Sequence, residues 1–196
     1  MASTLQKIRH VTFATAMSAL LLTACGKDSK DDAANLAELN KPVEELYEKA
    51  LETFQNRKYK LAIDDFEEVE RQHPNSEWAA HAQVMAGYSA YKGAQYDDAI
   101  VILDRFVKLH PTHSSTPYAY YLIALSSYTQ ISDVGRDQKK TEEARDALKD
   151  VFTRYPDTDY ARDAKLKYDL TSDHLAGKEM EIGRYYLKRM EIGRAH

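Results

Sequence analysis

Cysteine is nearly absent: the 196-residue chain has one, Cys25. A lone thiol has no partner within the chain, so a disulfide framework is excluded. Glycine and proline are scarce as well, 7 and 5 residues, which disfavours a turn-rich β sandwich. Nothing in the chain spans a bilayer as a helix. The apolar run from Val11 to Thr23 is 13 residues, against roughly 20 for a membrane span, and no later segment is apolar enough. A basic excess is missing too. The formal charge is −4, and a nucleic-acid footprint needs a basic face. Nor is there a glycine-rich phosphate loop or a nucleophile–His–Asp order.

What is present favours helix. Alanine and leucine lead, and glutamate, lysine and tyrosine are also frequent beside aspartate; alanine, leucine, glutamate and lysine are good helix formers. The N-terminus has the layout of a secretory signal: Lys7 and Arg9, then the uncharged run, then small residues. Leu22-Thr23-Ala24-Cys25 closes it and resembles the bacterial lipobox, in which the cysteine is lipidated and becomes the new N-terminus. Residues 1–24 are then a lipoprotein signal peptide. Cys25 carries a covalent diacylglycerol and an N-acyl chain (the palmitate type), and no other cofactor is expected. Several acyl chains anchor far more firmly than one. Cleavage would remove Lys7 and Arg9 and move the formal charge from −4 to −6. An Asp directly after the cysteine resembles an inner-membrane retention signal. Gly26 stands there instead, which implies the outer membrane. Residues 25–41 read as the lipidated Cys plus a charged tether with little to bury. Its root-mean-square span would be roughly 20–25 Å.

The rest of the chain repeats. Ala50, Gly87 and Ala124 are 37 residues apart, as are Phe54, Tyr91 and Tyr128. Tyr59 and Tyr96, Ala62 and Ala99, Phe66 and Leu103, and Pro74 and Pro111 keep the same step. The third unit slips by eight within about Ile131 to Lys140, where Asp133, Gly135 and Asp137 read as a loop, and resumes at Ala144 and Pro156. Each unit reads as two antiparallel helices meeting at the small residues, with Ala62, Ala99 and Ala144 facing the first set, and each proline stops a second helix. Ser76 and Thr158 are the expected N-caps of the helices that follow. Pro111-Thr112-His113-Ser114 is a looser version of the same turn.

The offsets resemble the tetratricopeptide repeat (TPR), with slightly long units. The implied fold class is all-α, a TPR-like solenoid over residues 42–189 with about three full repeats plus a long unpaired helix. That helix runs from Pro156 to Tyr185-Tyr186 as one piece or as two broken at Gly177. Met190-Glu-Ile-Gly-Arg194 duplicates Met180-Glu-Ile-Gly-Arg184, so residues 190–196 read as an aberrant or frayed end.

Lipobox, acidic tether and long-unit repeats together resemble the BamD family of outer-membrane assembly lipoproteins. The carrying residues are Leu22-Thr-Ala-Cys25, Ala62-Ile63-Asp64-Asp65-Phe66, Pro74-Asn75-Ser76, Tyr88, Tyr91-Lys92, Tyr96-Asp97-Asp98-Ala99-Ile100 and Gly183-Arg184-Tyr185-Tyr186-Leu187-Lys188-Arg189. The resemblance implies a periplasm-facing subunit of the β-barrel assembly machinery. Its partners would be unfolded barrel precursors, a BamA-like barrel subunit, other assembly lipoproteins and, through the lipid, the outer membrane. It also implies five repeats, more than this chain holds. The alternative is a TPR scaffold lipoprotein tied to peptidoglycan or division machinery.

Candidates for chemistry are thin, and no enzyme or metal centre is expected. His110 and His113 flank Pro111-Thr112 at a helix end and a turn. His73 and His110 share a pre-proline position, which points to helix-end roles beside carbonyls. Asp64-Asp65 and Asp97-Asp98 read as charged early turns or a solvated face. Binding suits the architecture better, because stacked hairpins present a concave surface lined by first helices. Of the 14 tyrosines, Tyr59, Tyr91, Tyr96 and Tyr128 sit in repeat columns and read as packing. Tyr88, Tyr120 and Tyr121 lie off those columns and are the partner-binding candidates. Tyrosine is enriched at interfaces, and the fitting guest is an extended, aromatic-rich peptide.

Overall fold

The structure is a computed structural model that describes residues 41–131 and 138–189. The leader, Cys25, the tether up to residue 40, part of the insertion (132–137) and residues 190–196 lie outside the described residues. Seven helices and no strand occur among the described residues. They are α1 (Val43–Gln55), α2 (Tyr59–Gln72), α3 (Glu77–Lys92), α4 (Tyr96–Leu109), α5 (Thr116–Thr129), α6 (Gln138–Arg154) and α7 (Asp159–Lys188).

The repeat spacing becomes a repeated turn. Helix α1 ends with Arg57 at φ 59° and α3 with Ala94 at φ 58°. In both, paired backbone bonds close the turn: Arg57 N–H to Phe54 O and Lys58 N–H to Thr53 O, then Ala94 N–H to Tyr91 O and Gln95 N–H to Ala90 O. This is the Schellman arrangement, which uses a left-handed residue to satisfy the last carbonyls of a helix. The second helices end alike too, His73 N–H on Val69 O and His110 N–H on Phe106 O, which puts both histidines at helix C-caps as expected.

The expected N-caps form. Ser76 Oγ accepts from Ala79 N–H at 3.2 Å, and Thr158 Oγ1 accepts from Ala161 N–H at 3.2 Å. Each hydroxyl also donates to the carbonyl three residues back, His73 O and Tyr155 O, at 2.8 Å. The start of α5 is built differently. Ser115 gives no side-chain cap; instead His113 Nδ1 accepts from Ser115 N–H at 3.1 Å, and buried Thr116 donates its hydroxyl to His110 O at 2.7 Å.

Each helix packs on the next, and α1 touches α3, α3 touches α5 and α5 touches α7. The first helices of the hairpins therefore form one continuous layer, with the second helices behind it. Three core clusters follow one another along the stack. The first joins Leu46 and Ala50 to Phe66, Val69 and Ala86, the second joins Val84 to Leu103, Phe106 and Leu122, and the third joins Ala124 to Leu148, Val151 and Ala164. Phe66, Leu103, Phe106, Leu122 and Leu148 are fully buried, each contributing about 1.5–3 kcal/mol by removal from water. The small-residue column is needed where expected. A Cβ on Gly87 would lie 2.4 Å from Leu103 Cγ, so α3 and α4 approach at a distance only glycine allows.

The slip in the third unit divides in two. Residues 130–137 separate α5 from α6 where residues 93–95 separate α3 from α4, and α6 starts about one helical turn earlier relative to Ala144 than α4 does relative to Ala99. Helix α7 runs through Gly177 unbroken and packs on α6 and α5.

One charge expectation is corrected. Asp64 is exposed, but Asp65 is 8% exposed and takes Lys49 Nζ and Thr53 Oγ1, each at 2.8 Å. It is a buried α1–α2 clamp rather than part of a solvated face. Asp97 and Asp98, which precede Ala99 instead of following it, are exposed.

Candidate functional site

The first-helix layer carries a continuous row of aromatic rings. Phe54 of α1 lies 5.4 Å from Tyr88 of α3, and Tyr88 lies 6.3 Å from Tyr118 of α5. Tyr118 is 5.3 Å from Tyr160 of α7, which is 5.2 Å from Tyr121. These separations fall within the range at which tilted aromatic pairs attract. All five rings are half-buried, so each packs on its neighbour and keeps an open edge. Tyr47 and Trp78 make a separate contact between α1 and α3 at 4.8 Å, with Trp78 38% exposed.

Two hydroxyls of the row, those of Tyr118 and Tyr121, hold their protons more firmly than an ordinary phenol. Burial pushes the Tyr118 phenol up to about 12. Burial and then the hydrogen bond to Asp163 raise Tyr121, whose hydroxyl donates to Asp163 Oδ2 at 2.5 Å. Burial alone would raise Asp163. Hydrogen bonds from Lys167 (2.6 and 2.7 Å) and Tyr121 outweigh it and hold the carboxyl below its usual range. The row thus offers apolar ring faces with neutral phenolic donors, anchored at one end by an ion pair.

The three candidate tyrosines separate here. Tyr88 and Tyr121 belong to the row. Tyr120 points elsewhere: its ring lies 5.6 Å from Tyr155 at the C-terminal end of α6, with the Arg154 guanidinium 5.3 Å above it. The ring is used in packing between second- and third-unit cores. The column tyrosines also pack across helices. Phe54–Tyr59 and Tyr91–Tyr96, at 5.6 and 5.8 Å, are the same contact one repeat apart.

Phe54, Tyr118 and Tyr160 were not among the candidates. Two signals were available. Tyr118 and Tyr121 are three residues apart and so share a helix face. Tyr160 matches Trp78 in the paired turns Pro74-Asn-Ser-Glu-Trp78 and Pro156-Asp-Thr-Asp-Tyr160, and both rings reach back to the preceding first helix.

The opposite layer is different in character. Between α2 and α4 runs a groove of about 350 Å³, lined by Ile63, Val101 and Ile102 with Lys60, Asp64 and Asp98. Arg105 Nη2 reaches Glu70 Oε2 across the two helices at 2.8 Å. No cluster of three or more His, Cys, Asp or Glu with metal-site geometry occurs among the described residues, and no helix there is long and apolar enough to cross a membrane.

Stacked helical hairpins with an aromatic first-helix layer define a TPR-type α-solenoid, an architecture whose exposed layers serve as binding surfaces. The family described as "Outer membrane lipoprotein" (YfiO) matches residues 39–195. Relatives named "Outer membrane protein assembly factor BamD" include one from Caulobacter vibrioides, 47% identical over 178 residues, covering 91% of this chain and 58% of the relative. That from Rickettsia prowazekii is 43% identical over 185 residues, covering 93% and 71%. That from Neisseria meningitidis serogroup B is 32% identical over 180 residues, covering 87% and 67%. The chain belongs to the YfiO family of outer membrane lipoproteins and spans about three fifths of the length of its Caulobacter relative.

Proposed function

We propose that this chain is a lipid-anchored, periplasm-facing subunit of the outer-membrane β-barrel assembly machinery, which takes unfolded barrel precursors on its first-helix layer and passes them to a BamA-like subunit. The observation that carries the reading is the aromatic row across α1, α3, α5 and α7, in a chain whose relatives are named assembly factors. Ring edges and neutral phenols suit a guest with alternating aromatic residues, because such contacts are sequence-tolerant and need no buried charge. The role is one of binding, with no catalytic step. Cys25 supplies the anchor and the charged tether holds the solenoid off the membrane.

The test is affinity capture. The tagged full chain, expressed in a Gram-negative host and extracted in mild detergent, should recover the barrel subunit and its companion lipoproteins, and Cys25→Ala should shift the protein to the soluble fraction. Recovery of other envelope proteins without the barrel subunit, beside a full-length relative that does recover it, would contradict the reading.

A further inference from the structure

The second helices stand apart where the first helices meet. Helix α1 packs on α3, whereas α2 and α4 make no such contact among the described residues. The groove between them is walled by the first two hairpins, inside the unbroken described stretch 41–131. Its apolar lining is unevenly covered. Ile63 and Ile102 are 9 and 8% exposed, and Val101 beside them is 70% exposed. Val101 also departs from the repeat. The same position holds Asp64, 37 residues earlier, and Asp146, 45 residues later. A β-branched residue gains nothing from an exposed helix site on propensity, so an aliphatic surface stands in water where the other two units place a carboxylate.

The charges on the same lining are unbalanced. Asp64, Glu67 and Asp98 face Lys60, a net −2. Asp98 accepts from Gln95 Nε2 at 3.1 Å and sits in the first turn of α4, where the helix end favours an acid. Asp64 and Glu67 lie further along α2 and have no ion pair among the described residues. The nearby bases are engaged with other acids: Arg71 with Glu68, Arg105 with Glu70 and Lys108 with Asp104.

We propose that this groove docks a basic amphipathic helix of a partner protein. Two neighbouring helices present a groove that a third fills by ridge packing. From Lys60 to Glu67 the α2 wall runs about 10 Å at 1.5 Å per residue. That is two turns, the reach of apolar anchors at i, i+4 and i+7 of a bound helix. The anchors cover Ile63, Val101 and Ile102, and lysine or arginine on the guest's flanks answers Asp64 and Glu67. The bridge from Arg105 to Glu70 spans the two walls one turn beyond Ile102 and Glu67 and limits the groove there. Like charge turns away an acidic helix and an anionic lipid surface alike.

The inference stands apart from the barrel-assembly reading, and a designed guest tests it. The probe is a synthetic peptide of roughly 15 residues, long enough to hold a helix, with leucine at i, i+4, i+7 and i+11 and lysine and arginine on the flanking positions. Calorimetry with the full chain, corrected for the peptide's titration into detergent alone, should show saturable binding with Kd on the order of 10 μM. Val101→Ser removes apolar contact without changing charge and should weaken binding about fivefold. Glu67→Lys should weaken it about tenfold by setting like charges together. Both side chains are exposed and neither joins a core cluster, so circular dichroism of the variants should match the parent. A peptide with glutamate in place of every lysine and arginine should not bind. Absence of saturable binding, equal binding of the acidic peptide, or a Kd that Glu67→Lys moves and Val101→Ser does not would overturn the proposal; the last would mean charge attraction without a seated helix.

Discussion

Gly87 shows how one atom sets a helix–helix distance. Its missing Cβ is occupied by Leu103, itself fully buried and unable to retreat. Gly87→Ala gains helix propensity of about 1 kcal/mol but forces overpacking that costs about 1–3 kcal/mol. The expected outcome is a net loss of stability in urea unfolding, of about 1 kcal/mol. Ala94 presents the reverse case. At φ 58° it holds a conformation that glycine adopts freely and alanine does not. Ala94→Gly should therefore raise the free energy of unfolding in urea by about 0.5–1 kcal/mol. A loss of about 0.4–1 kcal/mol in the variant would show that the turn carries no strain.

At the scale of elements, the start of α5 is a joint held by a titratable cap. His113 Nδ1 accepts from Ser115 N–H, which requires a neutral imidazole at that nitrogen. Burial first, then the neighbouring His81 and His110, lower its proton affinity in the folded chain. The unfolded chain, with an ordinary histidine near pH 6.5, takes the proton first as pH falls. The stabilisation is thus present above about pH 6.5 and is lost as pH falls through the folded-state value. Thermal unfolding followed from pH 8 to pH 5 should fall more steeply for the parent than for His113→Gln. The sequence announced most of this scale. Ala50, Gly87, Ala124 and the prolines at 74, 111 and 156 located every hairpin, and Ser76 and Thr158 located two helix starts. The start of α5 stayed hidden because its cap comes from a histidine two residues upstream rather than from Ser, Thr or Asp. The burial of Asp65 was hidden for a related reason. Its partners, Lys49 and Thr53, lie on another helix, and nothing within Ala62-Ile63-Asp64-Asp65-Phe66 distinguishes it from exposed Asp64.

At the scale of the molecule, repetition separates packing from surface. Residues recurring at the repeat step, such as Tyr59 and Tyr96, pack between helices, and Tyr88 and Tyr121, which do not recur, lie on the first-helix layer. That rule fails for Tyr120, whose ring is drawn to Tyr155 and Arg154 by the geometry of one hairpin, and for Phe54, which sits in a column and yet begins the row. Membership of the row depends on which faces of α1, α3, α5 and α7 meet across the layer, a relation between units that spacing within a unit does not encode.

The central claim is that this row is where a guest chain binds, and titration of the full chain with a synthetic extended peptide of alternating aromatic residues tests it directly. Calorimetry should show saturable binding that Tyr88→Ala and Tyr121→Ala each weaken about tenfold, in the range of an interface anchor residue, while Val101→Ser in the groove between α2 and α4 leaves it unchanged. Loss of binding with Val101→Ser, or full binding by both tyrosine variants, would contradict the account.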